Sequence, residues 1–146
     1  MKKKILCIVL IAVLIIGAGV LIAVKNKSSK GEVTQEAAFD IEYSDRLDGV
    51  PATDTSSNSS SIEVTYGDAG FTRKTLGVAD NSDKRPDLKE ESEQAVGEYN
   101  VTFLGKNGKI YVAKWTYNSF AYTISINDSR DGVDIDEMID YIKSTR

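Results

Sequence analysis

Histidine is absent from this sequence of 146 residues, and cysteine and proline occur only once and twice. The single cysteine, Cys7, lies in an apolar run near the amino terminus, so the rest of the chain has neither a disulfide nor a thiol nucleophile. These absences exclude zinc sites built from cysteine and histidine, Ser-His-Asp triads and Cys-His dyads. We therefore expect a protein that is not an enzyme and needs no cofactor.

Basic residues are scarce after the first 24 positions. Three of the 18 basic residues and none of the 22 acidic residues lie in 1–24, so residues 25–146 have a formal net charge of about −7. Because an acidic domain repels a phosphate backbone, we expect no nucleic acid as a partner. The sequence does not indicate an oligomeric state.

A long uncharged segment, 5–24, follows three lysines at positions 2–4. As a helix it spans about 30 Å, which is the thickness of the hydrocarbon core of a bilayer. It is either a retained transmembrane helix or a signal peptide. We favour the anchor, because signal peptides usually have about 7–15 apolar residues and a small-residue cleavage site. A short amino-terminal tail normally stays in the cytoplasm.

The predicted organisation follows from this topology. It comprises a cytoplasmic tail (1–4), a transmembrane helix (5–24), a tether (25–32) and an extracytoplasmic domain (33–146). The expected location is the cell membrane, crossed once. Within the domain, the Ser-rich segment 53–61 is too polar to bury a core, which predicts a disordered loop.

Residues 99–126 predict three consecutive antiparallel strands. Asn107-Gly108 between two β-rich runs is typical of a type I′ hairpin, in which both central residues have positive φ. We expect Asn118-Ser119 to close the next hairpin in the same way. The resulting register pairs Leu104 with Tyr111, Thr102 with Ala113, Trp115 with Tyr122, Ala113 with Ile124, and Tyr111 with Ile126.

This register places a largely apolar set of side chains on one face, because side chains alternate between faces along a strand. The set comprises Leu104, Tyr111, Ala113, Trp115, Tyr117, Phe120, Tyr122, Ile124 and Ile126. Five aromatic residues of this face either form the core or line a cavity for an apolar ligand: Tyr111, Trp115, Tyr117, Phe120 and Tyr122. Core packing is the commoner use of such a stripe.

Three further elements complete the predicted fold. Residues 39–43 alternate like a short strand, 62–76 predict a second hairpin, and 94–96 a short strand. Asp134 and Glu137 match a capping box at the start of a final helix. The apolar residues of that helix follow helical spacing: Ile135, Met138, Ile139 and Ile142. We expect this stripe to pack on the aromatic face, with Trp115 beneath Ile135, Met138 and Ile139. The fold class is thus α+β, with a small antiparallel meander packed by a C-terminal helix.

Two acidic clusters have a functional and a structural interpretation. The segment from Asn127 resembles the start of an EF-hand loop, but its twelfth position is Met138 instead of glutamate. A turn followed by a helix cap explains it better, so no metal site is expected. The glutamates at 90, 91, 93 and 98 are interpreted as a solvated surface in preference to acid-base catalysts.

Several segments resemble the domain of unknown function 4367 family. They are the hairpin Val101–Gly108, Ala113–Trp115 of the next strand, Tyr122–Ser125 and Asp136–Met138 of the final helix. Ala38-Phe39 stands where the family more typically has Gly-Phe. The resemblance covers most of residues 33–146 and implies an antiparallel α+β fold in an extracytoplasmic, membrane-anchored protein of mainly Gram-positive bacteria. It implies no catalytic residues.

Together these features predict a non-catalytic, membrane-anchored binding or sensory module. Its expected partner is the membrane, and an envelope protein is a further candidate. The alternative is a carrier or receptor for an apolar ligand held between sheet and helix. An unrecognised hydrolase comes third.

Overall fold

Two tight turns organise the centre of the domain in the computed structural model, which describes residues 37–77 and 85–146. Asn107 and Gly108 have φ of 56° and 72°, and Asn118 and Ser119 have φ of 48° and 68°. Positive φ at both central residues is the signature of a type I′ turn, so both predicted hairpins are confirmed. They connect three strands: β7 (Tyr99–Lys106), β8 (Lys109–Tyr117) and β9 (Phe120–Ile126).

The three strands are the centre of a larger antiparallel sheet. Its other strands are β3 (Asp54–Ser57), β4 (Ser61–Thr65), β5 (Gly70–Leu76) and β6 (Glu90–Val96). The seven strands have the order β3-β4-β5-β9-β8-β7-β6, and a separate hairpin pairs β1 (Arg46–Leu47) with β2 (Val50–Pro51). With the helix α1 (Ile135–Lys143), this is the predicted α+β fold.

The register between β8 and β9 is the predicted one, with Trp115 opposite Tyr122 and Ala113 opposite Ile124. The register between β7 and β8 is different. Gly105 pairs with Ile110 but Leu104 pairs with Val112, which leaves Tyr111 as the extra residue of a β-bulge.

The bulge moves the buried face of β7 by one residue. The predicted pairs of Leu104 with Tyr111 and of Thr102 with Ala113 are therefore wrong, and Phe103 faces Ala113. Val101 and Phe103 are fully buried, whereas Leu104 is only half-buried. A one-residue shift exchanges the two faces of a strand, which explains why Leu104 is not on the aromatic face.

The Ser-rich segment 53–61 is not the predicted loop throughout, because residues 54–57 form strand β3. Among the described strands, β3 lies at one edge of the sheet and pairs only with β4, and its four side chains are exposed. The turn between them is held by Asn58, whose Oδ1 accepts the backbone N–H groups of Ser60 (2.9 Å) and Ser61 (3.0 Å). An edge strand needs backbone pairing but little apolar side-chain area, which a polar composition can satisfy.

The predicted strand at 39–43 is also absent. Instead, Glu42 and Arg146 exchange backbone hydrogen bonds of 2.8 and 3.0 Å. Strand β6 in contrast begins at Glu90, four residues before the predicted strand.

The predicted tail (1–4), transmembrane helix (5–24) and tether (25–32) lie outside the described residues. Among the residues that the structure describes, no helix is long and apolar enough to cross a membrane.

Helix α1 contributes part of the predicted apolar stripe to the core. Met138 and Ile142 are fully buried and Ile139 is half-buried, whereas Ile135, which also belongs to the predicted stripe, is 37% exposed. Asp134 occupies the N-cap position without a side-chain capping hydrogen bond. Its carboxylate instead accepts a bond of 2.8 Å from Lys109 Nζ, and Glu137 accepts from the Tyr141 hydroxyl. These charge-assisted bonds replace the predicted capping box.

The core lies between one face of the sheet, the β1–β2 region and α1. Its largest fully buried side chains come from all three parts: Leu47, Tyr66, Phe103, Ile124, Ile126, Met138 and Ile142. Arg130 stabilises the turn of the β1–β2 hairpin, because its Nε donates a hydrogen bond to Asp48 Oδ2 at 2.6 Å.

We expect Gly108→Val to destabilise the domain by about 1–2 kcal/mol, the approximate cost of left-handed backbone for a residue with a Cβ. A Cβ at Gly108 would meet no atom within 4 Å, so the cost is purely conformational. Urea unfolding of both proteins measures it. A valine variant as stable as the wild type would contradict the type I′ assignment. Asn107→Gly is the matched control, because glycine adopts positive φ without steric cost.

Candidate binding surfaces

The five predicted aromatic residues do not form one open surface. Trp115 and Tyr122 are each 4% exposed and Tyr111 is 5% exposed, whereas Tyr117 and Phe120 are half-buried. Tyr111 lies at the bulge, near the Asn107-Gly108 turn, and the other four lie toward the Asn118-Ser119 turn. The structure therefore divides the set into a buried part and a partly exposed end.

Trp115 is enclosed by two tyrosines. Its ring stacks on Tyr122 at a centroid distance of 5.1 Å and an interplanar angle of 4°, and on Tyr99 at 6.1 Å and 27°. Tyr99 also meets Tyr117 edge to face at 5.1 Å. Burial raises the pKa of Tyr122 and of Tyr99. Neighbouring side chains thus fill the space around Trp115, which favours the interpretation of this part as core.

A lysine and a phenylalanine from outside the predicted aromatic face complete the partly exposed end. Lys74 Nζ lies 4.7 Å from the centroid of Phe120 and 5.6 Å from that of Tyr122, and it donates to the Asp40 carbonyl at 2.7 Å. Phe39 packs on Phe120 at 4.8 Å. Burial lowers the pKa of Lys74, while Asp40 and Glu42 oppose the shift. Only the non-local pairing of β5 with β9, which sets Lys74 opposite Tyr122, brings this residue here.

We call this region the apolar end, defined by Phe39, Leu76, Tyr117 and Phe120. Leu76 is 54% exposed, the most exposed large hydrophobic side chain among the described residues. It pairs with Phe120, which also pairs with Tyr117. The four residues therefore lie side by side at the end of the sheet that contains the Asn118-Ser119 turn.

The opposite end of the sheet is densely charged. Lys106 Nζ lies 4.7 Å from the ring centroid of Tyr111, and the Tyr111 hydroxyl donates to the Arg130 carbonyl at 3.1 Å. Arg85 forms ion pairs with Asp128 and, at 3.3 Å, with Asp87. These paired charges hold the turns at this end together.

Strand β6 forms an acidic edge of the sheet, which we define as Glu90–Ala95. All six residues are exposed, and β6 pairs with β7 alone among the strands that the structure describes. Glu90 accepts a hydrogen bond from the Gly108 N–H at 2.9 Å. Glu91 and Glu93 form no ion pair within residues 37–77 and 85–146. Three members of the predicted glutamate cluster thus lie on an exposed strand edge, and Glu98 lies in the β6–β7 turn.

The loop at Asn127 has a structural role. Its Nδ2 donates to the Asp68 carbonyl at 2.9 Å and its N–H donates to the Ala69 carbonyl at 2.9 Å, which joins this turn to the β4–β5 turn. Among the described residues, no group of three or more Cys, His, Asp or Glu side chains has the geometry to hold a metal ion.

Tyr141 links α1 to the β1–β2 hairpin. Its hydroxyl accepts the Asp48 N–H at 2.9 Å and donates to Glu137. Burial and the hydrogen bond to Glu137 raise the pKa of Tyr141 to about 12. An unfolded tyrosine ionises near pH 10, so between about pH 10 and 12 the folded state binds more protons than the unfolded state. The stability from this group is therefore complete below about pH 10 and is lost as the pH rises toward 12.

We expect Tyr141→Phe to lower the free energy of unfolding most below pH 10, with a deficit that shrinks as the pH approaches 12. Phenylalanine cannot ionise, so the variant does not show the loss of stability at alkaline pH that Tyr141 causes in the wild type. Urea unfolding of both proteins at several pH values between 8 and about 12 tests this. Ser144→Ala is the control. It removes a hydroxyl at the same end of the helix that does not titrate and that donates to the Asp140 carbonyl at 3.0 Å. Its loss of stability should be the same at every pH. A pH-independent deficit for Tyr141→Phe would contradict the linkage.

No model of a protein family, no curated protein and no solved structure matches the chain. The resemblance to the domain of unknown function 4367 family stays a prediction from the sequence.

Proposed function

We propose that the chain is a single-pass membrane protein whose extracytoplasmic domain is a non-catalytic binding or sensory module, and that it recognises a basic, extended segment of an envelope protein at the acidic edge. The observation that carries the proposal is the exposed edge strand β6, with Glu91 and Glu93 free of ion pairs to the described residues. Edge strands can accept a further strand through their backbone groups.

The backbone of β6 is arranged for such an addition. Gly97 has φ of 61° and opens a two-residue turn, so Val96 and Tyr99 form the closing pair of the β6–β7 hairpin. Hydrogen-bonded and non-hydrogen-bonded pairs alternate in an antiparallel ladder, and this register has no irregularity. The N–H and C=O groups of Glu91, Glu93 and Ala95 therefore point away from β7, toward a strand that would be added.

The negative charge of the acidic edge favours a basic strand as the binding partner. A second copy of β6 would bring glutamates close to glutamates, which is unfavourable, whereas lysine or arginine at the facing positions would form cross-strand ion pairs. Glutamates at an edge are also a common device against aggregation. That role repels like-charged strands and is compatible with binding a basic one.

The membrane part of the proposal is supported by the sequence alone. The uncharged run 5–24 is long enough to span a bilayer, and Lys2 to Lys4 favour a cytoplasmic amino terminus. The resemblance to the domain of unknown function 4367 family supports the same location. The alternative, a carrier for an apolar ligand, has less support because Tyr99 and Tyr122 stack on the buried Trp115 ring.

A peptide-binding measurement tests the acidic edge. The full chain in nanodiscs is titrated with a fluorescent peptide of alternating lysine and valine, and anisotropy reports binding. We expect Glu91→Lys with Glu93→Lys to weaken binding on the order of tenfold, since exposed ion pairs contribute about 0.2–1 kcal/mol each and reversal adds repulsion. The same charge change at Asp131 and Asp136, which are exposed elsewhere, should have a much smaller effect.

A backbone variant separates strand addition from simple charge attraction. Ala95→Pro keeps every glutamate but removes one outward N–H, so it should weaken binding while the domain stays folded. Ala95→Thr keeps the N–H and should bind like the wild type. Equal affinity of the proline and threonine variants would overturn recognition by strand addition.

A further inference from the structure

We infer that the apolar end of the domain lies against the lipid surface of the membrane, with Leu76 inserted at the level of the headgroups. This inference rests on the proposed membrane anchor. It adds a second, non-covalent contact that sets the orientation of the domain, which the anchor by itself does not determine.

Exposure and side-chain type favour lipid contact at this end. Leu76 is 54% exposed, and the rings beside it, Phe120 and Tyr117, are half-buried. Exposed aliphatic side chains with aromatic rings beside them are typical of surfaces that insert into a membrane interface, where the tyrosine hydroxyl stays in contact with water. The ammonium of Lys74, 4.7 Å from the centroid of Phe120, adds a cation close to the headgroups.

The distribution of charge at the two ends of the sheet agrees with this orientation. The described turns of the apolar end are Asn58–Ser60, Gly97–Glu98 and Asn118–Ser119, and Glu98 is their one charged residue. The turns at the opposite end contain Asp68, Asp128 and Asp131, and Lys106 and Lys109 flank the Asn107-Gly108 turn. Among the described turns, those of the apolar end therefore lose less charge solvation on burial against lipid than those of the opposite end. Asp40, beside Phe39, is exposed and adds one carboxylate to the rim of the apolar end.

The length of chain before the structured part fits the same contact. Phe39 belongs to the apolar end, and twelve residues separate Val24, the last residue of the uncharged run, from Ala37. An extended chain of that length reaches at most about 40 Å, so it holds the domain close to the surface. Tethering gives a local concentration in the millimolar range, at which weak insertion by one leucine and its neighbouring rings is sufficient.

Depth-dependent quenching tests the contact on the full chain, in vesicles of phosphatidylethanolamine and phosphatidylglycerol that contain brominated acyl chains. In a Cys7→Ser background, Ser59→Cys places an environment-sensitive dye in the turn next to Leu76, because the Leu76 N–H bonds the Ser60 carbonyl at 2.7 Å. Ser129→Cys places the same dye at the charged end. We expect strong quenching at Ser59 and little at Ser129.

Two matched variants then identify the cause. Leu76→Glu should abolish most of the quenching at Ser59, while Ile135→Glu, the same change at an exposed hydrophobic residue of α1, should leave it unchanged; urea melts confirm that both variants are folded. Equal quenching at Ser59 and Ser129, or no effect of Leu76→Glu, would overturn the contact. If the protein then still resists alkaline extraction from the vesicles, the anchor stands and only the contact fails. Complete extraction would overturn the anchor and, with it, the inference.

Discussion

Replacing Trp115 with alanine is expected to lower the free energy of unfolding by about 3–5 kcal/mol, the range for truncation of a large buried aromatic side chain. Trp115 is 4% exposed and has a ring stacked on each side, so its removal leaves a cavity that Tyr99 and Tyr122 cannot readily fill. This loss is a large fraction of the 5–15 kcal/mol that is typical of a domain. Because Trp115 is the only tryptophan, circular dichroism must replace fluorescence as the probe of unfolding.

Two further variants make the Trp115 result interpretable. Tyr117→Ala removes a half-buried ring from the same strand and should cost clearly less. Trp115→Phe keeps part of the stack and should be intermediate, which preserves a measurement if the alanine variant does not fold. A Trp115→Ala variant within about 1 kcal/mol of the wild type would contradict the packing. It would favour the alternative in which the aromatic residues line a cavity for an apolar ligand.

Replacing Gly70 with alanine is expected to destabilise the domain by about 3 kcal/mol or more. Gly70 begins β5 with φ of 144°, and a Cβ there would lie 1.9 Å from the Ser125 carbonyl oxygen on β9. The backbone strain costs about 1–3 kcal/mol, and forcing the strands apart adds an overpacking cost of similar size. Thermal or urea unfolding measures the sum.

Gly77 at the other end of β5 provides the control for Gly70. It also has positive φ, at 116°, but a Cβ there meets no atom within 4 Å. Gly77→Ala should therefore show the conformational cost without the steric one. Equal costs for the two alanine variants would contradict the close approach of β5 and β9.

The two proposed surfaces occupy different parts of the sheet and do not compete. The acidic edge runs along one side strand, and the apolar end lies across the ends of β5, β8 and β9. A domain that rests on the membrane by its apolar end would present the acidic edge sideways to a partner, which joins the two proposals in one geometry.

The sequence by itself determined the features that depend on neighbouring residues. Asn107-Gly108 and Asn118-Ser119 form the predicted turns because left-handed backbone is a local property of these residue types. The alternation in β8 and β9 and the helical spacing likewise predicted that Trp115, Ile124, Met138 and Ile142 are buried. It did not predict the burial of Val112, Thr123 and Ser125 on the other face.

Tertiary structure alone decided the features that require a partner distant in sequence. The bulge at Tyr111 changes the face of β7, and the pairing of β5 with β9 brings Lys74 and Leu76 to Phe120. Asp134 bonds Lys109 across the fold instead of capping its own helix, and β3 is a strand only because β4 offers backbone groups to pair with. These features cannot be predicted from a local sequence pattern, because each depends on contacts with residues that are distant in the sequence.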